Sequence, residues 1–280
     1  MKTYSYRKWL MKIMAYIPLL FFAAVFLVPF LWLISTSFKS LEDPLFTIPI
    51  EFLPRNPTLD NFRHALGLLR FWPSTFNSFL FSAVTVVLTV FLCSTAGYPL
   101  ARMDFTGKNV VFGLFLSNLM IPFHVIMVPL YLMVLRLGIN DSYLGLILPM
   151  AFQSFGIYLM RQSFASIPKE LEEAARIDGC GDFRIWGTIF MPLVKPSLTA
   201  LSIIVFVWQW NNFIWPLITL RSRELFPLQL MLIGLTSGMF SANWRYVCAA
   251  ATLSMMPLLI FFMVFQRYFL EGGTAGALKG

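Results

Sequence analysis

The chain has 280 residues, of which 58% are hydrophobic, 17% aromatic and only 12% charged. A soluble domain carries about twice that charged fraction, so the composition excludes an ordinary water-soluble enzyme and points to burial in lipid. The net charge of +8 is not gathered into a basic patch interleaved with aromatics, which argues against a nucleic acid partner; the cations stand between apolar runs, where they anchor helices at a membrane surface.

The first apolar run follows Lys2, Arg7, Lys8 and Lys12. It is longer than a signal-peptide core and lacks a small-residue cleavage site, so it is expected to be a retained helix. Uncharged runs then predict transmembrane helices over about 13–37, 74–101, 109–135, 142–160, 196–220 and 246–268. Each has about 19 residues or more, enough to cross a hydrocarbon core of about 30 Å at 1.5 Å per residue. Helices satisfy their own backbone polar groups, which lipid cannot do, and the short alternating strands of a barrel are missing. The fold class is therefore all-α integral membrane with six transmembrane helices. A seventh uncharged run, 225–244, holds Pro227, Gln229, Gly234, Gly238 and Asn243, and predicts an external loop with one short helix.

Six crossings put both termini on one side. If that side is the cytoplasm, inside segments hold 13 of the 21 Lys and Arg, in agreement with the positive-inside rule. The expected organisation is a cytoplasmic N-terminus over 1–12, a membrane domain over 13–270 and a cytoplasmic tail over 271–280.

Little in the chain suggests catalysis or metal binding. Cys93, Cys180 and Cys248 are far apart and form no paired motif, so neither a disulfide framework nor a zinc site is implied. Of the two histidines, His124 lies inside an apolar run, where helix packing is the simpler role and a place on a transport path the alternative. No phosphate-binding GxxxxGK[ST] loop is present, so the chain itself is not a motor; no metal or other cofactor is expected on it.

The longest inside loop, 161–195, reads RQSFASIPKELEEAARIDGCGDFRIWGTIFMPLVK. Pro168 suits the first turn of a helix, and Glu170, Glu172 and Glu173 complement its dipole. Gly179 suits a left-handed terminus. Asp182 is expected to cap a second short helix that Pro192 stops, and Pro196 opens the fifth span. Such a helix–turn–helix across the inner ends of a bundle is a good mechanical link to a partner.

Glu173-Ala174-Ala175, then Gly179, then Ile189 and Met191-Pro192 resembles the EAA loop of bacterial ABC-importer permeases, with methionine in place of the usual leucine. Ala96–Arg102 (AGYPLAR), Met120-Ile121-Pro122, Val128-Pro129-Leu130-Tyr131, Trp210-Asn211-Asn212, Trp215-Pro216-Leu217 and the tail Gly272–Gly280 are similar to the MalG-like, carbohydrate branch of that family. The resemblance implies a permease subunit, not an enzyme, in the bacterial inner membrane. It works beside a second homologous permease, a dimer of ATPase subunits that bind ATP and Mg, and an extracytoplasmic solute-binding protein. It implies that Glu173, Ala174, Ala175, Gly179, Asp182, Ile189 and Pro192 meet the ATPase, with Gly276, Lys279 and Gly280 of the tail. It also implies that the loop near 225–243 faces the binding protein. A sugar and glycerol-3-phosphate, or another sugar phosphate, remain alternative cargoes. A secondary transporter is the reading from another class, against which stands the lack of any Asp or Glu within a span.

Gln209, Asn211 and Asn212 stand beside Trp208 in the fifth span. Amides and indoles suit a hydroxylated cargo, and they equally suit helix–helix hydrogen bonding. Asn77, Ser78, Ser82 and Thr85 in the second span carry the same two readings.

Overall fold

The first helix, α1 (Lys2–Ser37), carries Pro18 and Pro29 inside it, which a membrane helix tolerates. Its apolar side chains, such as Phe21, Phe22 and Phe26, are exposed, the state expected of a helix wrapped in lipid. The structure is a computed structural model. It describes residues 2–49, 51–68, 70–237 and 243–277, with the backbone alone for 2–13, 15 and 266–277. It divides into two compact units, Met1–Phe71 with Leu232–Met256, and Trp72–Met231 with Pro257–Gly280.

In the first unit the chain leaves α1 and folds around Lys39, whose side chain is buried. Its ammonium donates to the carbonyls of Pro44 at 3.1 Å and Glu51 at 2.9 Å. Helix α2 (Asp60–Leu68) is tied back by Asn61, whose amide donates to the carbonyls of Ser37 and Lys39 at 2.9 and 2.8 Å. Arg245 donates to the carbonyl of Asp43 at 2.5 Å, and Tyr246 stacks on His64 with centroids 5.0 Å apart. Buried polar groups are costly unless paired, and these pairings fix the segment that follows α1.

The second unit is built on α3 (Phe71–Arg102) and on helices that bend. Helices α4 (Lys108–Asn118) and α5 (Phe123–Arg136) meet at 104°, and α6 (Tyr143–Ala151) and α7 (Ser154–Ala165) at 45°. Among the described residues three unbroken helices are long and apolar enough to cross a membrane, and a third bent pair, 182–193 with 195–210 at 81°, brings the number to six if each pair is one crossing. The runs expected to be continuous over 109–135, 142–160 and 196–220 are thus interrupted. Pro122 lacks a donor and takes extended geometry ahead of α5, which ends α4. Phe152 and Gln153 are both extended between α6 and α7. The run 196–220 divides into α11 (Lys195–Trp210) and α12 (Ile214–Thr219) at Asn211–Phe213. In the run 225–244, α13 (Leu228–Ser237) is the short helix, and 238–242 lie outside the described residues. The last helix, α14 (Trp244–Ala277), continues through Pro257.

Close packing of α3 on α7 uses small residues. A Cβ on Gly156 would stand 2.6 Å from the sulfur of Cys93, and one on Gly97 would stand 2.9 Å from the backbone nitrogen of Arg161. Only glycine lets these backbones approach so closely. Around them lies a core of Cys93, Tyr98, Leu100, Ile157, Met160, Phe164, Phe190 and Leu201.

Between α5 and α6, Asp141 fixes the turn that leads into α13. Its carboxylate accepts the Arg221 and Ser222 amides at 2.8 and 2.9 Å and the Ser222 hydroxyl at 2.6 Å. The Ser222 hydroxyl first, then the two amides, hold its carboxyl below the usual range. The stabilisation is therefore present above the ordinary carboxylate pKa and is lost as pH falls through the lowered one. Asp141→Ala should speed hydrogen exchange at the Arg221 and Ser222 amides by at least about fivefold at neutral pH, because charge-assisted bonds contribute about 1.5–3 kcal/mol. Unchanged exchange would show that the turn is held by something else.

Candidate functional site

The inner loop folds as an elbow. Helix α8 (Lys169–Ile177) begins after Pro168, which occupies the capping position ahead of the first turn expected for it. Glu170 and Glu172 lie in its first turn, where they complement the dipole. The helix ends at Gly179, whose φ is 80°. There the Cys180 amide donates to the Ala175 carbonyl at 2.9 Å and the Gly179 amide to the Arg176 carbonyl at 3.0 Å. This pair of bonds is the Schellman motif, and it requires a left-handed residue.

After the turn, α9 (Asp182–Arg184) passes into a π-helical stretch, Ile185–Phe190, then α10 (Met191–Leu193). Gly181, not Asp182, takes the cap position, and no side-chain capping bond forms. Asp182 instead binds Arg176 across the elbow at 2.7 Å, an ion pair that competes with capping. Arg176 also binds Glu172 at 2.9 Å. Glu172 first, then Asp182, raise the Arg176 pKa above its ordinary value. Pro192 lies inside α10, and the break comes at Val194, two residues later than the stop expected at Pro192. The segment 182–193 then meets α11 at 81°.

Of the two adjacent glutamates, Glu172 is buried and Glu173 exposed. Ala174 is exposed, while Ala175 packs into the core and Ile189 packs against it. The elbow thus turns Glu173 and Ala174 outward and holds itself together with Glu172, Ala175 and Ile189. A polar pocket of about 510 Å³, lined by Arg102, Asp104, Lys108, Lys169, Glu172, Glu173 and Arg176, lies beside it.

A second feature, a cleft of about 680 Å³, lies where the three interrupted runs come together. Asn118, Leu119 and Ile121 line it from the α4–α5 break, Phe152, Gln153 and Ser154 from the α6–α7 break, and Trp208, Gln209, Asn211 and Asn212 from the end of α11. Interrupted helices at membrane depth occur where the freed backbone faces a cavity. Asn212 donates to the Gln209 side chain at 3.2 Å and accepts the Trp215 amide at 3.3 Å. Asn118 donates to the Ser154 hydroxyl at 2.9 Å. Gln153 lines the cleft, and its side-chain amide donates to the Met150 carbonyl at 3.1 Å. Trp208 is half exposed and its ring lies 5.9 Å from that of Phe155.

Residues 93–271 match the family described as binding-protein-dependent transport system inner membrane component. The chain belongs to this family. Such a protein is the membrane-embedded permease component of an ABC importer, and is not itself catalytic. The permease is 40% identical, over 100% of its length and 99% of the relative's, to the arabinooligosaccharides transport system permease protein AraQ of Halalkalibacterium halodurans. It is 31% identical over 80% of its length to the sn-glycerol-3-phosphate transport system permease protein UgpE of Brucella abortus, covering 82% of that protein. Among solved structures, it matches a bacterial ABC transporter involved in the import of the acidic polysaccharide alginate. There the TM-score is 0.81 at 27% identity, over 93% of the permease and 96% of that chain.

All four residues named for a path, Trp208, Gln209, Asn211 and Asn212, line the cleft of this permease. Asn118, Gln153 and Ser154 join them without having been singled out by sequence; a polar residue inside an uncharged run is the signal that marks each. His124 is exposed on α5 and does not line the cleft, although its neighbour Phe123 does. Asn77 and Ser78 serve packing instead. The Asn77 amide donates to the Glu224 carbonyl at 2.7 Å and accepts from Tyr143, and Ser78 accepts the Leu228 amide at 2.8 Å. Ser82 and Thr85 are buried on α3, away from the cleft lining. Gly276 falls within α14, and Lys279 and Gly280 lie outside the described residues.

Proposed function

We propose that this permease forms half of the translocation path for an uncharged, hydroxylated solute of the carbohydrate class. The observation that carries this is the lining of the cleft: amides, an indole and apolar rings, with no charged side chain among the described residues. A phosphate taken into such a cleft would need a cation or several strong donors to offset its desolvation. Sugar hydroxyls need only neutral hydrogen bonds, and a ring face needs a flat apolar surface. The relative that carries arabinooligosaccharides supports the same class.

The assembly comprises a second homologous permease, a dimer of ATPase subunits that bind ATP and Mg, and an extracytoplasmic solute-binding protein. Both termini, the elbow and the 271–280 tail lie on the cytoplasmic side, and the segment 225–243 faces the binding protein. Glu173, Ala174, Ala175, Gly179, Asp182, Ile189 and Pro192 form or support the docking surface for the ATPase. Gly276, Lys279 and Gly280 reach it from the tail.

The test is uptake by cells in which this permease is deleted and restored with its operon partners. Restoration should return ATP-dependent uptake of an arabino-oligosaccharide and leave sn-glycerol-3-phosphate uptake unchanged; the opposite pattern would overturn the uncharged-cargo reading. Gln153→Ala removes an amide that lines the cleft. It should lower uptake by about fivefold, since one hydrogen bond contributes roughly 1 kcal/mol, with ATP hydrolysis by the assembly retained.

A further inference from the structure

The glutamate that faces inward has a specific partner at the end of α3. Arg102 is the last residue of that helix, and its side chain is 4% exposed. Its Nε stands 3.8 Å from the Glu172 carboxylate, and its guanidinium also donates to the Ile167 carbonyl. The guanidinium lies over the Phe190 ring, 5.0 Å from its centroid. One buried cation therefore holds three parts of the elbow: the chain before α8, α8 itself and the π-helical stretch. A buried charge is costly unless paired; here the guanidinium bonds Ile167 and stands within ion-pair range of Glu172, to which its Nε makes no hydrogen bond.

From Arg102 the contacts run back along α3. The Arg161 side chain of α7 donates to the Leu100 carbonyl at 3.2 Å. Farther along, the Cys93 thiol donates to the Gln153 carbonyl at 3.3 Å, at the break that lines the cleft. Arg102 and Cys93 are separated by about 13 Å of one helix, with Pro99 between them.

We propose that Arg102 is the positioning residue through which movement of the elbow is passed to α3 and so to the cleft, with Glu172 as its partner. Glu173 faces outward to the ATPase, and Glu172 faces inward to the bundle. The inference rests on the ATP-coupled reading above and adds to it a route inside this chain. Coupling is read as a response at the cleft to an event at the elbow.

The test uses the complete importer with its second permease and ATPase subunits. Asn211→Cys places a thiol in the cleft of a chain in which Cys180 is serine; Cys93 and Cys248 are buried. The readout is the rate of labelling by a membrane-impermeant maleimide, with and without ATP and vanadate. In the parent, nucleotide should change the rate by at least about fivefold, the lower range of allosteric coupling. Arg102→Gln should reduce that response to about twofold or less, although ATPase subunits co-purify in the parent ratio and still hydrolyse ATP. Arg102→Lys, which keeps the charge, should recover part of it. Glu172→Gln preserves shape and should behave as Arg102→Gln does, giving the same reading if Arg102→Gln is poorly assembled. A full response in an assembled variant of either residue would overturn the role of the pair while leaving ATP coupling intact. A parent that ignores nucleotide would overturn the coupling reading, and this inference with it.

Discussion

Gly179→Val will lower ATP-driven uptake by at least about tenfold while the permease still inserts and assembles. The position has a φ of 80°, a conformation that costs an L-residue about 1–2 kcal/mol and a β-branched one more. Nothing lies within 4 Å of where a Cβ would stand. The cost is therefore one of backbone handedness, not of space. Valine would shift the turn toward right-handed geometry and break the pair of bonds from Gly179 and Cys180 that ends α8. The direction of the second arm, with Asp182 on Arg176, would be lost with it. Gly179→Asn separates the two causes, because asparagine is bulkier than alanine yet tolerates the left-handed region. It should retain most of the uptake, and Gly179→Ala should fall between. Equal uptake by Gly179→Val and the parent would show that the elbow does not depend on this turn.

Glu173→Arg is expected to have the second large effect, for a different reason. The side chain is exposed, so the fold itself should change by no more than about 0.5 kcal/mol. At a docking surface, however, placing like charges together costs several kcal/mol, enough to reduce uptake by about 100-fold or more. The measurements are uptake and the amount of ATPase subunit retained on the purified permease. Both should fall together, while Glu173→Gln should lose much less. This pattern differs from that of Glu172→Gln, which should keep the ATPase bound and lose the response at the cleft. Two neighbouring glutamates thus give opposite combinations of binding and coupling.

Much of the fold was legible because lipid leaves few choices. Long uncharged runs bounded by cations predict the spans, and the structure has helices in every one. The bends were less legible. Pro122 is a plain signal for the break before α5, but the break at Asn211–Phe213 contains no proline, and Phe152–Gln153 interrupts a run that remains apolar on both sides. Hydropathy reports how far a residue prefers lipid and carries no information on the angle between two halves of a span. The polar residues at the breaks held the missing clue: Asn118, Gln153, Asn211 and Asn212 can each satisfy backbone groups that an interrupted helix sets free.

The elbow was legible in outline through Pro168, the acids of the first turn and Gly179. Which glutamate faces inward was not, since three acids stand within four positions. The spacing of Glu172 and Arg176, one helical turn apart, favours their pairing. Its tie to Arg102, 70 positions earlier, needed the fold. Asp182 was expected as a cap because its type and position fit one. The Arg176 guanidinium offers a charged donor in place of a neutral amide, and the stronger bond prevails.

If a separate ATPase drives this bundle through the elbow, a single cysteine at position 173 in the assembled importer should crosslink to the ATPase subunit, with reagents supplied from the cytoplasmic side. Labelling of that cysteine from outside the cell, or a crosslink to the solute-binding protein in place of the ATPase, would contradict it.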